Sequence, residues 1–249
     1  SPAGCGQRRK ILALSTLAGA LPDLDALSMW SRFDRTFGRW FHLQASGRTI
    51  YAAKYWYSHH AFMHSLAAAL LLATTVVLLS YFLNKRGSAA APQDSSRGIG
   101  RRLAYGLATF GAYLMHLLED LPTPASAWGG INLFWPSTNY VGGYGKIWWW
   151  NNYDIFLVVV AVLVVNTTVL FLFQKQLRLR AMITTLVFSS GVLLSVYQMN
   201  HRPVDFAYSG STSRYSEMER QSKELQKELL GTRLYNVMAR LDRRLPFYF

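Results

Sequence analysis

The chain has 249 residues, of which 51% are hydrophobic and 16% charged, and its 26 Lys and Arg against 13 Asp and Glu give a net charge of +13. The apolar residues are gathered into long runs instead of amphipathic stripes, which excludes an ordinary soluble domain and predicts a helical membrane protein. The one cysteine, Cys5, excludes an intrachain disulfide and a multi-cysteine metal site, and the dispersal of basic residues among loops argues against nucleic acid as a partner.

In chain order, the first apolar run, Ile11 to Leu27, is interrupted near its end by Pro22, Asp23 and Asp25. It reads as a short or partly unwound segment, tolerated where other helices cover its exposed backbone. The second run, Ala61 to Leu83, is long enough at ~1.5 Å per residue to cross a hydrocarbon core of roughly 30 Å. It opens with the motif HHAFMHS, His59 to Ser65. Gly87 to Gly100 is a small polar loop, after which Leu103 to Leu121 forms the next candidate span and runs into HLLEDLPTPAS, His116 to Ser126. The connection Pro122 to Asp154 holds Trp128, Trp135, Tyr140, Tyr144, Trp148, Trp149, Trp150 and Tyr153 among several glycines. Two readings stay open for it: an interfacial aromatic belt over the helix ends, or a lid for a lipid headgroup.

Ile155 to Phe173 and Ala181 to Met199 complete the apolar runs. Beyond them His201 to Ser213 is linker-like, and Arg214 to Leu245 reads as a polar helix with an apolar stripe that includes Leu225, Leu229 and Leu241. The closing RRLPFYF calls for a surface, either the bilayer or a partner subunit. The expected fold is all-α: a membrane domain of four to five transmembrane helices over residues 1–200, followed by a linker and amphipathic C-terminal helix over 201–249.

Charge sets the expected orientation. Arg8, Arg9, Lys10, Lys85, Arg86, Arg97, Arg101, Arg102, Lys175, Arg178 and Arg180 fall in alternate segments, eleven basic residues on one side. The intervening connections hold six: Arg32, Arg35, Arg39, Arg48, Lys54 and Lys146. The positive-inside rule then places the N-terminus in the cytoplasm and the C-terminus outside, in the periplasm if the membrane is a bacterial inner membrane. Every motif with His and Asp falls at the outer end of a span.

Ionisable groups at a membrane edge are costly, so such a cluster is a functional site by default. His116 and Asp120 are spaced i, i+4 and share a helical face, where an imidazole and a carboxylate can bind one divalent cation or simply bond to each other. His60 and His64 have the same spacing, whereas His59 and His64 converge only if a helix starts between them. Asp23 and Asp25 reach a common centre only in a bent segment. Glu119, one residue before Asp120, points about 100° away and reads as a solvent-facing acid. His42 and His201 read as interfacial or linker residues.

The order LPDLD, then H-x4-H-S, then HLLEDLPTP followed by LFWP at Leu133 to Pro136 resembles the YdjM-like family of membrane-bound metal-dependent hydrolases, over roughly Leu21 to Pro136. That resemblance implies Asp23, Asp25, His59, His64, His116 and Asp120 as ligands or catalytic groups, and Ser65 and Thr123 as residues that orient ligands by hydrogen bonding. The expected roles are metal ligands for Asp23, Asp25, His64, His116 and Asp120, and a catalytic role, as ligand or proton shuttle, for His59 or His60. The chain departs from the family pattern in carrying His60, Ala61 and Met63 where the family has Arg-Gly and Thr. A mixed nitrogen and oxygen ligand set suits Zn, with Mn or Fe as alternatives.

The expected activity is hydrolysis of an ester or phosphodiester, from a lipid or the cell envelope, at the outer face of the membrane. The alternative is a non-catalytic subunit of a membrane complex that retains the hydrolase-like fold and binds its partners through the 214–249 tail.

Overall fold

A computed structural model describes residues 2–87, 95–123, 127–145, 152–201 and 215–244. Trp148, Trp149 and Trp150 of the aromatic connection, most of the linker after His201 and the closing aromatic tail lie outside the described residues. Among the described residues seven α-helices appear in order: α1 Pro2–Ala20, α2 Gly47–Ala52, α3 Leu66–Gly87, α4 Ser95–Asp120, α5 Tyr153–Leu172, α6 Leu177–Asn200 and α7 Tyr215–Asp242. Among the described residues there is no strand, only an isolated antiparallel bridge between Ile131 and Val141.

Among the described residues three helices are long and apolar enough to cross a membrane, over Leu66–Leu83, Tyr153–Leu172 and Leu177–Asn200. The latter two bury almost none of their residues inside the protein, so their apolar side chains meet lipid or another protein. A fourth path joins Lys10–Ala20 to Pro22–Met29 across a 46° bend. The bend has a covalent cause. Pro22 has no N–H to continue the hydrogen bonding of α1, although Leu21 before it keeps helical dihedrals at φ −68° and ψ −36°, and Pro22 fits the first turn of the 3-10 segment Pro22–Met29 that follows. The interruption expected at Pro22 is therefore present, and it re-aims the chain where Asp23 and Asp25 sit.

α4 packs against both α1 and α3 and so runs with them, which makes four to five crossings the reading of the bundle. Close approach of α3 and α4 requires small residues: a Cβ on Gly106 would stand 2.6 Å from Val77 Cγ2. Their shared core holds Ala68, Ala69, Tyr113, Leu117 and Ile131. Farther along the chain, α5 pairs with α6, and α7 docks on α5, where the Asp154 main-chain N–H donates to Gln226 Oε1 at 3.2 Å. α7 is broken at Gly231, whose φ of +74° lies in the left-handed region that glycine enters without strain.

The span expected from Ala61 begins as a regular helix only at Leu66. Ser65 Oγ accepts from the Ala68 N–H at 3.1 Å and caps α3, so the residues before it are free to take another conformation. His59 to His64 form a tight turn with a 3-10 tip at Phe62–His64, and His60 sits at φ +63°. The loop Ala127–Gly145 closes over this turn: Asn132 N–H donates to the His60 carbonyl at 2.8 Å and Leu66 N–H to the Leu133 carbonyl at 3.0 Å. Gly130 is indispensable to that closure, because a Cβ there would meet the Val141 carbonyl oxygen at 2.2 Å.

Candidate metal centre

Three elements deliver the ionisable groups to one end of the α1, α3 and α4 bundle. The bend after α1 presents Asp23 and Asp25, the turn before α3 presents His59, His60 and His64, and the last turn of α4 presents His116 and Asp120. The i, i+4 pair behaves as its spacing predicts, with His116 Nε2 and Asp120 Oδ2 3.4 Å apart.

Four donor atoms surround a common centre. His64 Nε2 stands 3.4 Å from Asp120 Oδ2 and 3.8 Å from Asp23 Oδ1, and His116 Nε2 stands 3.5 Å from Asp23 Oδ1. His64 Nε2, His116 Nε2 and Asp120 Oδ2 are all buried and make no hydrogen bond. Leaving three such atoms unsatisfied costs ~1–3 kcal/mol each, more where charge is involved. Donors held at ~2.0–2.2 Å from a tetrahedral ion lie ~3.3–3.6 Å from one another. The His64–Asp120, His116–Asp120 and His116–Asp23 separations fall in that range, and His64–Asp23 is longer at 3.8 Å. Asp23, His64 and His116 together can hold a metal ion, and the donor set fits one.

Behind this quartet lies a supporting carboxylate. Asp25 Oδ2 is 3.1 Å from His64 Nδ1, and Asp25 Oδ1 is 2.6 Å from His59 Nδ1. An ionised carboxylate only accepts, so both imidazoles donate from Nδ1 and keep Nε2 as the basic nitrogen. For His64 that nitrogen faces the quartet. The arrangement is the carboxylate–histidine pairing that fixes the tautomer and orientation of metal-binding histidines. Both oxygens of Asp25 are thereby engaged away from the centre, whereas the sequence reading placed it among the direct ligands.

His59, His60 and His64 form a second group able to hold a metal ion, all three buried. It lacks carboxylates, and its Nδ1 atoms are already engaged, two by Asp25 and that of His60 by the Gly130 carbonyl at 3.1 Å. Aromatic rings hold the two catalytic candidates in place. Tyr51 stacks on His59 with ring centroids 4.6 Å apart, and Trp128 packs against His60 at 4.5 Å.

Burial pushes the His59 imidazole below its ordinary range despite the Asp25 carboxylate, and pushes His60 well below it, with the His59 and His64 charges adding to the effect. His60 is therefore a neutral, Nδ1-donating imidazole. His64 goes the other way: burial opposes its charge, but Asp23, Asp25 and Asp120 outweigh burial and raise it to about 10. In the absence of a cation, a proton on His64 balances the carboxylates. A divalent ion would compete with that proton for the same nitrogen.

Ser65 and Thr123 turn to the main chain. Ser65 Oγ donates to the Phe62 carbonyl at 2.6 Å and Thr123 Oγ1 to the Asp120 carbonyl at 2.6 Å, so each shapes the backbone that carries a candidate ligand. Glu119 is solvent-exposed, as its angular offset predicts. His201 is exposed at the end of α6, and His42 lies on the connection after the bend. Three contributors to the site carried no signal in the sequence: Tyr113, whose hydroxyl donates to the Met63 carbonyl; Tyr51; and Gly130.

A family model described as YdjM inner membrane protein matches residues 2–202. No curated protein and no solved structure matches the chain.

Proposed function

The chain belongs to the YdjM inner membrane protein family, and from that premise we propose that it is a membrane-embedded, metal-dependent hydrolase of an ester or phosphodiester, lipid or envelope-derived, at the outer face of the membrane. The observation that carries the reading is the group of His64 Nε2, His116 Nε2, Asp23 Oδ1 and Asp120 Oδ2, each imidazole nitrogen within 3.8 Å of both carboxylate oxygens and three of the four atoms buried without a hydrogen bond. Two imidazoles and two carboxylates suit Zn, with Mn and Fe as alternatives. Once bound, the ion supplies Lewis acidity at the substrate carbonyl or phosphoryl oxygen and acidifies water.

The protein's own groups do the rest. Asp25 holds His64 in the tautomer that offers Nε2, and it holds His59 likewise, leaving His59 Nε2 to take or return a proton. His60 donates to the Gly130 carbonyl and packs against Trp128, which in turn meets the Tyr51 ring edge-on, so these groups hold the histidine turn in place. Asp23 is the accessible member, its side chain 60% exposed against 18% for Asp120 and none for His64, so substrate approaches along its edge.

Elemental analysis of detergent-purified protein tests this. Wild type should carry at least one equivalent of Zn or Mn, and the His116→Ala/Asp120→Ala variant should lose it with helicity intact. Protein that takes up neither metal, even after incubation with each, would leave the family relationship as ancestry alone.

A second reading, a non-catalytic subunit of a membrane complex, draws on His60 standing where the family pattern carries arginine and on the docking of α7 against α5. Deleting 215–249 separates the two. An enzyme keeps most of its turnover without the tail, whereas a subunit loses its partner.

A further inference from the structure

We propose that the segment between the Pro22–Met29 bend and α2 is a binding arm for anionic phospholipid, with Trp40 and Phe41 inserted among the lipids and Arg39 and His42 at the headgroup phosphate. This inference stands on different residues from the metal centre and holds whether or not that centre hydrolyses anything.

Position comes first. The segment leaves one membrane path at Met29 and the chain returns into another at Leu66, so it lies at the membrane face that carries the His and Asp cluster. Its rings gather around Phe37: Phe33 at 5.8 Å, Trp40 at 5.7 Å, Phe41 stacked at 6.4 Å and Trp30 at 6.3 Å between centroids. The outer pair is left in the open, Trp40 being 70% and Phe41 68% exposed. An exposed aromatic pair beside a membrane span is the pattern of a headgroup-level anchor.

Charge then selects the lipid. Between Trp30 and Ser58 the chain has Arg32, Arg35, Arg39, Arg48 and Lys54 against one acid, Asp34, and Arg32, Arg35 and Arg39 are exposed. Asp34 is committed within the fold, its Oδ1 accepting from the Gly47 N–H at 2.6 Å. That bond closes a loop whose inner wall is a recess lined by Arg39, His42, Gln44 and Ser46 together with Asp34. The guanidinium, imidazole and amide supply N–H donors of the kind a phosphate diester accepts.

The recess is held rigidly against the bend, because Gly47 lies so close to Ser28 that a Cβ would stand 2.0 Å from its carbonyl oxygen. A soluble anion would account for the recess but not for the two bare rings beside it. A phospholipid accounts for both.

Native mass spectrometry of the full chain in detergent tests the proposal, with phosphatidylglycerol and phosphatidylcholine of identical acyl chains as probes. Wild type should retain phosphatidylglycerol several-fold better. Arg35→Gln and Arg39→Gln should each weaken it roughly fivefold, as expected for one basic residue at a charged lipid surface. Arg39→Lys should keep most of the preference, which guards against a folding artefact. Trp40→Ala/Phe41→Ala should weaken both lipids. Lys175→Gln/Arg178→Gln, at the far end of the spans, should change nothing. Equal retention of the two lipids, an unchanged preference in Arg35→Gln/Arg39→Gln, or an equal loss in the far-end variant would overturn the proposal. So would displacement of phosphatidylglycerol by equimolar inorganic phosphate, which would mark the recess as a soluble-anion site.

Discussion

Asp25 is the residue on which the chemistry of the centre turns, because it addresses two imidazoles at once. Asp25→Asn keeps size and shape but replaces an acceptor by a group that also donates, which permits the opposite tautomer at His64 and turns an N–H toward the ion. Metal affinity should fall by roughly 10–100-fold, read by competition with a chelator, while helicity by circular dichroism stays unchanged. His64 makes a pH prediction of definite sign. Its pKa is raised from 6.5 to about 10 in the folded, metal-free protein. The imidazolium therefore contributes its full stability below about 6.5, and the contribution is lost as pH climbs toward 10. The thermal midpoint of chelator-treated protein should drop across pH 7 to 10, and the drop should be smaller in His64→Gln. A flat profile in wild type would mean that His64 is neutral there. The sequence was informative about these residues as types and much less about their partners. His116 and Asp120 met because helical spacing alone brings i and i+4 together. That Asp25 faces Nδ1 of two histidines depended on a bend and a turn 34 residues apart, which no local pattern encodes.

Elements were legible where lipid imposes a length and obscure where tertiary contacts set the backbone. The runs around α3, α5 and α6 declare themselves because a helix needs about 20 apolar residues to cross the core. HHAFMHS, by contrast, carries histidines at helical spacing but is a turn: His60 is held at φ +63° while its main chain and ring both bond the loop around Gly130 and Asn132. The short connection Arg39–Gly47 was equally unremarkable in sequence, yet it braces the bend bearing Asp23 and Asp25. Gly47→Ala tests that coupling. The clash with the Ser28 carbonyl is backbone against backbone and cannot be relieved by a rotamer, so the substitution should destabilise by about 1–3 kcal/mol and lower metal occupancy in parallel. Gly111→Ala, in α4 with open space around it, should leave both untouched. Equal behaviour of the two variants in a chelator-competition assay would show that the bend does not depend on the arm.

At the scale of the whole molecule, what the centre can act on depends on which side of the membrane it faces. The end of α1, the start of α3 and the end of α4 carry the ion cluster, and strict alternation of the spans would bring the end of α6 and the α5–α7 contact to the same side of the membrane. The same alternation would put on the opposite side Lys85, Arg86, Arg97, Arg101, Arg102, Lys175, Arg178 and Arg180, basic residues close to helix ends, where the positive-inside rule weighs them most. The arginines of the lipid-binding arm run against that bias, but anionic headgroups at an outer leaflet would retain them there. The expected topology is therefore a cytoplasmic N-terminus with the centre facing outward. In a Cys5→Ser background, Asn139→Cys on the loop over the centre and Gln176→Cys between α5 and α6 both place a thiol at an exposed position. A membrane-impermeant maleimide applied to intact spheroplasts should label the Asn139→Cys protein at once and the Gln176→Cys protein only after permeabilisation. The reverse pattern would turn the centre to the cytoplasm, where its substrate would be an inner-leaflet lipid or a soluble ester and an envelope-derived one would be out of reach.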